Sequence, residues 1–503
     1  MPYIASSQPA SRETERERNP DPPDPLHGRA PALTTAPPSS TSRFDRSIVE
    51  GPIAKAVWKL AWPTVLQNVI GGLQGIVDHV MVGNYVGFVG NAAIGVAFQI
   101  FLVVVVFITS LFTGMGVLVA RFTGQGDEEK VNRTASQAFL TAVAMSVGVM
   151  APLGYFLAPH LLGLVNAAPE VQAEALPYLR IMFVFSVGMM LFFMLGGALR
   201  SAGDARTPLK LGIALTVMNI TFNVILIRGL GPIPAFGTTG AAMGTVLAGG
   251  LVSLYAVSRL FSGKWVIDFR GVSWKPDWGI IKALFRFGLP TGIQGVAMNV
   301  AGVVLLRFIG SLQASAEAQA AYVVAYTELF SLVTWTSVGL MGATAAVAGQ
   351  NLGAGHPERT IRGVQVASRF GLSIAAFVGL LFLLIPRFLL GLFGMDNPVV
   401  LGLGVQLLGF LSLSGLFITV ALTYTGGLQG TGDTKGPLYI SLISQFAIPI
   451  GLLTVIQAMR TLQPADVWLA IVLGHAARSL LSVVRFRQGK WRHIEVRIDE
   501  ART

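Results

Sequence analysis

About a dozen apolar runs, each long enough to cross a bilayer, fill most of this 503-residue chain; a spanning helix needs about 20 such residues. Helices are predicted near 56–84, 91–121, 133–157, 175–199, 206–228 and 239–261. After a polar linker come six more, near 280–309, 316–349, 361–392, 400–428, 436–458 and 465–486. In hydrocarbon only helices and closed barrels satisfy every backbone polar group. A barrel requires strands that alternate in polarity, which these runs lack. Charged residues are 12% of the chain and hydrophobic ones 53%, against roughly 25% charged in soluble domains. The fold class is an all-α polytopic membrane protein with 12 transmembrane helices.

The twelve fall into two similar halves. Gly203-Asp204, Pro208 and Leu209 recur 229 residues later as Gly432-Asp433, Pro437 and Leu438. At the same offset Arg121–Gly126 lines up with Gln350–Gly355, and Trp62-Pro63-Thr64 matches Leu289-Pro290-Thr291 at an offset of 227. A period of half the chain means two pseudo-symmetric six-helix lobes rather than a solenoid of short units. The expected division is a disordered tail over 1–50, an N-terminal lobe over 51–261, an interfacial linker over 262–278, a C-terminal lobe over 279–488 and a basic tail over 489–503. The first 50 residues hold nine prolines, six arginines and seven acids, and lack an apolar core.

The net charge of +11 invites a nucleic-acid partner, but its placement argues for a membrane. Basic residues gather in the loops after the second, fourth, sixth, eighth and tenth helices and in the C-terminal tail, while the alternate loops are nearly bare. By the positive-inside rule both termini are cytoplasmic, in an inner or plasma membrane. The basic tail then fits orientation and anionic lipid, not nucleic acid. Trp265, Phe269, Trp274 and Trp278 place the linker along the cytoplasmic interface. With no cysteine, thiol redox chemistry and thiolate metal sites are excluded. No span offers a serine–histidine or paired-aspartate constellation, so an enzyme is not expected, and no cofactor is called for.

Two acids stay inside spans, Asp78 and Glu328. A carboxylate there costs about 2.5–3.5 kcal/mol on insertion scales and marks a functional hypothesis. Gln67, Gly71, Gln74 and Asp78 step by four, three and four along the first helix, making one polar face. Asp78 either titrates in a transport cycle or bonds to a neighbouring helix. Asn219 and Asn223 share a face of the fifth helix, one turn past Thr216, and Thr239 and Thr245 lie on the sixth. These oxygens can bind Na⁺, fix a protonatable carboxylate, or simply join helices. Glu328 lies in the eighth helix beside Tyr322 and Tyr326, opposite Gln99 under the repeat. An aromatic-flanked acid suits a cavity for organic cations; the competing reading is an interfacial acid near a helix end. Met189, Met190, Phe192, Phe193 and Met194 fit either a pliable pocket or a core. Pro63 and Pro290 are expected to bend the first helix of each half.

Leu199–Pro208, Asn219–Asn223, Gly229–Pro232 and Gly240–Thr245, with Val77–Gly83 and Ala348–Gly355, together resemble the multidrug and toxin extrusion (MATE) family of secondary transporters. The resemblance spans about residues 50–490. It implies two lobes around a central V-shaped cavity, export of small organic molecules driven by inward H⁺ or Na⁺, and a monomer working in the lipid bilayer. It makes Asp78 the coupling acid, with Asn219 and Thr245 helping to line a cation site, a metal site only if Na⁺ is the ion. Gln67, Gln74, Gln99, Tyr322, Tyr326 and Glu328 become candidate cavity residues. Asn223 stands where relatives commonly carry Asp, and Met298 and Ile418 stand where some carry C-lobe acids. Loss of an anion weakens a Na⁺ site, whereas a lone carboxylate deprived of water can still carry a proton, so H⁺ is favoured. The expected function is a cation-coupled antiporter for amphipathic, cationic organic compounds. The alternative is a flippase for lipid-linked oligosaccharide or peptidoglycan precursor. A flippase needs basic residues in the cavity, and here Arg and Lys lie at loops and helix ends.

Overall fold

In a computed structural model the described residues are 43–165, 168–395 and 397–496. Twelve spans run in sequence. The first six are α1 (Ile53–Tyr85), α2 (Phe88–Gln125), α3 (Glu128–Leu164), α4 (Pro169–Val184 with Val187–Ser201), α5 (Arg206–Arg228) and α6 (Gly237–Phe261). The second six are α7 (Trp278–Gly310), α8 (Ser315–Gly353), α9 (Pro357–Leu384), α10 (Pro398–Gly430), α11 (Lys435–Met459) and α12 (Pro464–Arg487). Ten are long and apolar enough to span by composition, and α4 joins them as one span bent by 52°. The 33 residues of α1 are also ample for a crossing, diluted by the polar face that ends at Asp78.

The repeated Gly-Asp motif turns out to be helix-end chemistry. Gly203 and Gly432 both take φ +98°, a left-handed value that suits only glycine. The following aspartates then cap the next helix. Asp204 Oδ1 accepts from the Arg206 and Thr207 amides at 3.1 and 3.0 Å, and Asp433 Oδ1 accepts from the Gly436 amide at 2.9 Å. Asp433 also meets Arg485 at 2.7 Å.

Within the N lobe α5 packs on α1 and α6, and α4 on α2, α3 and α6; within the C lobe α10 packs on α8, α9 and α12. The lobes join along α2–α7, α1–α8 and α2–α8, and glycine makes the approach possible. A Cβ at Gly124 would overlap the Gln350 carbonyl, and one at Gly353 would overlap the Arg121 carbonyl. These are the same contact made twice, since both pairs are related by the 229-residue repeat. Gly114 and Gly288 bring α2 and α7 together in the same way, and Gly339 lays α8 on Val65 of α1. The Gly124–Gly353 seam lies at the helix ends facing the Asp127 and His356 loops. The outer stretch of α8, Ser315–Leu329, packs instead against α7 and α10 of its own lobe.

Three expectations change. The 1–50 tail is ordered from Arg43 on, with residues 1–42 outside the described set. Phe44, Ile48 and Val49 are buried, the Ile48 carbonyl accepts from Asn351 at 3.3 Å, and Arg359 donates to the Gly51 carbonyl at 2.7 Å. Three buried apolar residues in six anchor the segment across the seam. The linker aromatics pack inward: Phe269 is buried, and Trp274 stacks on Phe261 at 5.7 Å. Of the four, only Trp278 is exposed. Pro63 and Pro290 lie inside helices that continue past them. The basic tail begins by docking, with Trp491 buried against Phe486 at 5.1 Å, while 497–503 lie outside the described residues.

Candidate functional site

The polar face of α1 meets α5 and α6 inside the N lobe. Asn223 Nδ2 donates to Asp78 Oδ1 at 2.7 Å and to Asn219 Oδ1 at 3.3 Å; Asn219 Nδ2 donates to Thr245 Oγ1 at 3.0 Å. Thr245 in turn bonds the Ala241 carbonyl at 3.1 Å. One turn along, Thr216 donates to Gln74 Oε1 at 2.9 Å. Asn219 and Asn223 are fully buried, so each amide needs partners from within the lobe. The Asn223 Oδ1 has none; it lies against Gly244, where any Cβ would collide with it. The chain thus brings Asp78, Asn219, Asn223 and Thr245 into one network. His79, on another face of α1, turns to Asn91 Oδ1 at 2.6 Å.

The network is knitted by N–H donors. A cation site presents several oxygens to one point, whereas here the amide hydrogens point at the carboxylate and at Asn219. No group of three or more His, Asp or Glu able to hold a metal occurs among the described residues.

Elsewhere the candidates separate. Gln67 Oε1 accepts from Arg200 Nη1 at 3.3 Å. Gln99 is exposed. Tyr322 is buried in the C lobe, stacked on Tyr326 at 4.9 Å and on Trp468 at 6.4 Å, so its ring is core rather than cavity wall in this conformation. Glu328 is half-buried in a π-helical turn, Val323–Leu329, a device found often at functional sites. Met190 and Met194 are core and Phe193 is partly exposed. Ile418 is buried C-lobe core. A serine–histidine pair does exist, contrary to the sequence reading: Ser414 Oγ bonds His475 Nδ1. The pair is buried between α10 and α12 beneath Phe330, which leaves no approach for a substrate.

Between the lobes, on the membrane side of the glycine seam, lies a cavity of about 240 Å³. Thr109 and Thr113 of α2, Phe193 and Arg200 of α4, Gly342 of α8 and Gln429 of α10 line it. Sequence reasoning placed every basic side chain at loops and helix ends and missed Arg200, which sits at the end of α4 but turns into the cleft. Its adjacency to the repeated Gly-Asp turn was the only available signal.

The MatE family model matches residues 63–225 and 290–453, one stretch in each lobe. The chain belongs to the MatE family. As a MatE protein it is a multi-pass membrane transporter with the family's two-lobe architecture. It is 27% identical over 446 residues to the probable multidrug resistance protein NorM of Thermotoga maritima, covering 87% of this chain and 93% of that one. With the multidrug resistance protein MdtK of Pectobacterium atrosepticum the figures are 24% over 444 residues, 86% and 95%. A MATE protein crystallised in complex with MaL6 superposes with a TM-score of 0.82 at 21% identity, covering 91% of this chain and all of that one.

Proposed function

We propose that this MatE protein is an H⁺-coupled antiporter that exports amphipathic organic compounds across an inner or plasma membrane as a monomer. The observation that carries the reading is the Asp78–Asn223 hydrogen bond inside a lobe that has no second carboxylate in that network. Which atom of an amide is nitrogen is assigned from the network rather than seen. An ionised Asp78 takes the Nδ2–H; a protonated Asp78 donates its own hydrogen to Oδ1 after a half-turn of the amide. Asn223 can therefore serve both protonation states, and its unpartnered oxygen gives up no hydrogen bond in the turn. A bare Na⁺ would have to displace N–H groups that now point inward.

Proton uptake would drive transport only by favouring one lobe arrangement over the other. With the positive-inside rule setting the seam on the cytoplasmic side, the present arrangement is the one closed to the cytoplasm. The multidrug relatives support a small-molecule cargo, and Glu328, half-buried and without an ion pair among the described residues, supports a positively charged portion in it.

Efflux of a dye cation from membrane vesicles, under separately imposed pH and Na⁺ gradients, tests the proposal. Parent protein exports under the pH gradient; Asp78→Asn loses more than about tenfold in rate, a barrier change of 1.4 kcal/mol or more; Glu328→Gln weakens dye affinity. Undiminished export by Asp78→Asn under both gradients overturns the coupling assignment. A flippase would move a labelled lipid precursor and no dye, and the single arginine in the cleft floor makes a weak cradle for a pyrophosphate.

A further inference from the structure

We propose that the cleft floor is an anion subsite: Arg200 holds an acidic group of the exported compound, so the preferred cargo is zwitterionic rather than purely cationic. This rests on the antiporter reading and names its substrate class.

Arg200 forms no ion pair among the described residues; its one hydrogen bond is to the neutral Gln67 Oε1, at 3.3 Å. The guanidinium lines the 240 Å³ cavity and carries five N–H donors in a planar fork. One weak bond leaves most of that fork unused. Across the cleft it lies against Gly342 of α8, where even a Cβ would come within 3.7 Å of Arg200 Nε, so both lobes shape the space around the charge. No carboxylate lines the cavity; its other polar walls are Thr109, Thr113, Ser201 and Gln429, hydroxyls and an amide able to donate to an anion. Arg121 strengthens the field from the seam, where it donates to the Thr431 carbonyl at 3.2 Å, one residue beyond the lining Gly430.

The charge is not accounted for by fold stability. Structural arginines here meet carboxylates, as Arg485 meets Asp433 and Arg133 meets Asp277, both at 2.7 Å, or main-chain carbonyls, as Arg359 meets Gly51 at 2.7 Å; Arg200 meets neither among the described residues. A poorly solvated cation without a counter-ion is costly, and buried charges are normally paired. A ligand carboxylate supplies the missing partner in a forked, charge-assisted pair. The volume suits the head of a ligand, since whole drug-sized molecules need about 300–1,000 Å³; the remainder would extend toward Phe193 and the wider cleft. The cationic end then lies away from Arg200, while Asp78 stays bonded inside the N lobe and free of the cargo.

The probe is a fluorescent amphipathic amine bearing a carboxylic acid, compared with its primary amide, which keeps the size and removes the charge. In vesicles under the driving gradient, parent protein exports the acid with a KM about tenfold below that of the amide, the scale of one charge-assisted hydrogen bond. Arg200→Gln removes the difference in KM between acid and amide; Arg200→Lys keeps part of it. Equal KM values for the two probes in parent protein, or a preference that survives in Arg200→Gln, overturn the subsite. Thermal stabilisation of purified protein by acid over amide reads the site without transport. Equal stabilisation overturns the subsite even where export works. Selective stabilisation without export under any gradient sinks the antiporter reading and leaves the subsite standing.

Discussion

Replacing the Asn223 amide by a carboxylate puts a second anion against Asp78 Oδ1, now 2.7 Å from Nδ2. Two acids in one buried pocket share a proton or a cation. If H⁺ is the parent's coupling ion as proposed, Asn223→Asp is expected to let a Na⁺ gradient drive export, as measured by dye efflux at equal pH on both sides. Gly244→Ala tests the same network from α6. Its methyl group would overlap Asn223 Oδ1 and push the amide out of reach, so export is expected to fall toward the Asp78→Asn level while the protein still folds and inserts, as read by size-exclusion profile and helical circular dichroism.

At the level of helices, the run lengths that mark membrane crossing, and the half-chain repeat, were enough to place twelve spans and two lobes. The Asp78–Asn219–Asn223–Thr245 grouping was also legible, because residues three and four apart on a helix share a face and polar faces in a bilayer seek each other. Arg200 was not, since nothing in a linear string says which way the last turn of α4 points once the Gly203 turn folds back. Nor was the inward packing of the linker, where aromatic residues at a membrane edge read alike whether they touch lipid or Phe139. The linker is fastened through Asp268, which accepts from Arg43 at 2.9 Å and Arg270 at 2.8 Å, while its amide donates to Asn132 Oδ1 at 2.9 Å. Bonding to the Arg270 guanidinium first, and to Arg43, holds the Asp268 carboxyl well below the usual carboxylate range. A depressed value means the docking contribution is present above the ordinary value near 4 and fades only as pH falls further. Tryptic cutting after Lys264 or Arg270 is thus expected to be slow at neutral pH and faster in Asp268→Asn; equal rates would show that the aromatic packing alone holds the linker.

An antiporter of the proposed kind swaps which end is closed, and the chain offers a direct way to watch it, since it has no native cysteine. Spin labels at Gln125→Cys and His356→Cys report the seam end, and labels at Leu230→Cys and Ser311→Cys the opposite end. Acidification and alkalinisation are expected to move the two distances in opposite senses by double electron–electron resonance, and Asp78→Asn is expected to hold both distances in one pH-insensitive distribution. Distances that change together would describe swelling rather than alternation.

What must part in that movement is chiefly bare backbone. At Gly124 and Gly353 the facing helices touch through Cα and carbonyl, with no side chain interleaved between them. Such a joint has no rotamers to unthread when it separates and no torsional freedom to surrender when it re-forms. It can open and close without becoming a latch, and the side-chain bonds that hold it come instead from the Arg43–Gly51 segment laid across it, through Asn351 and Arg359.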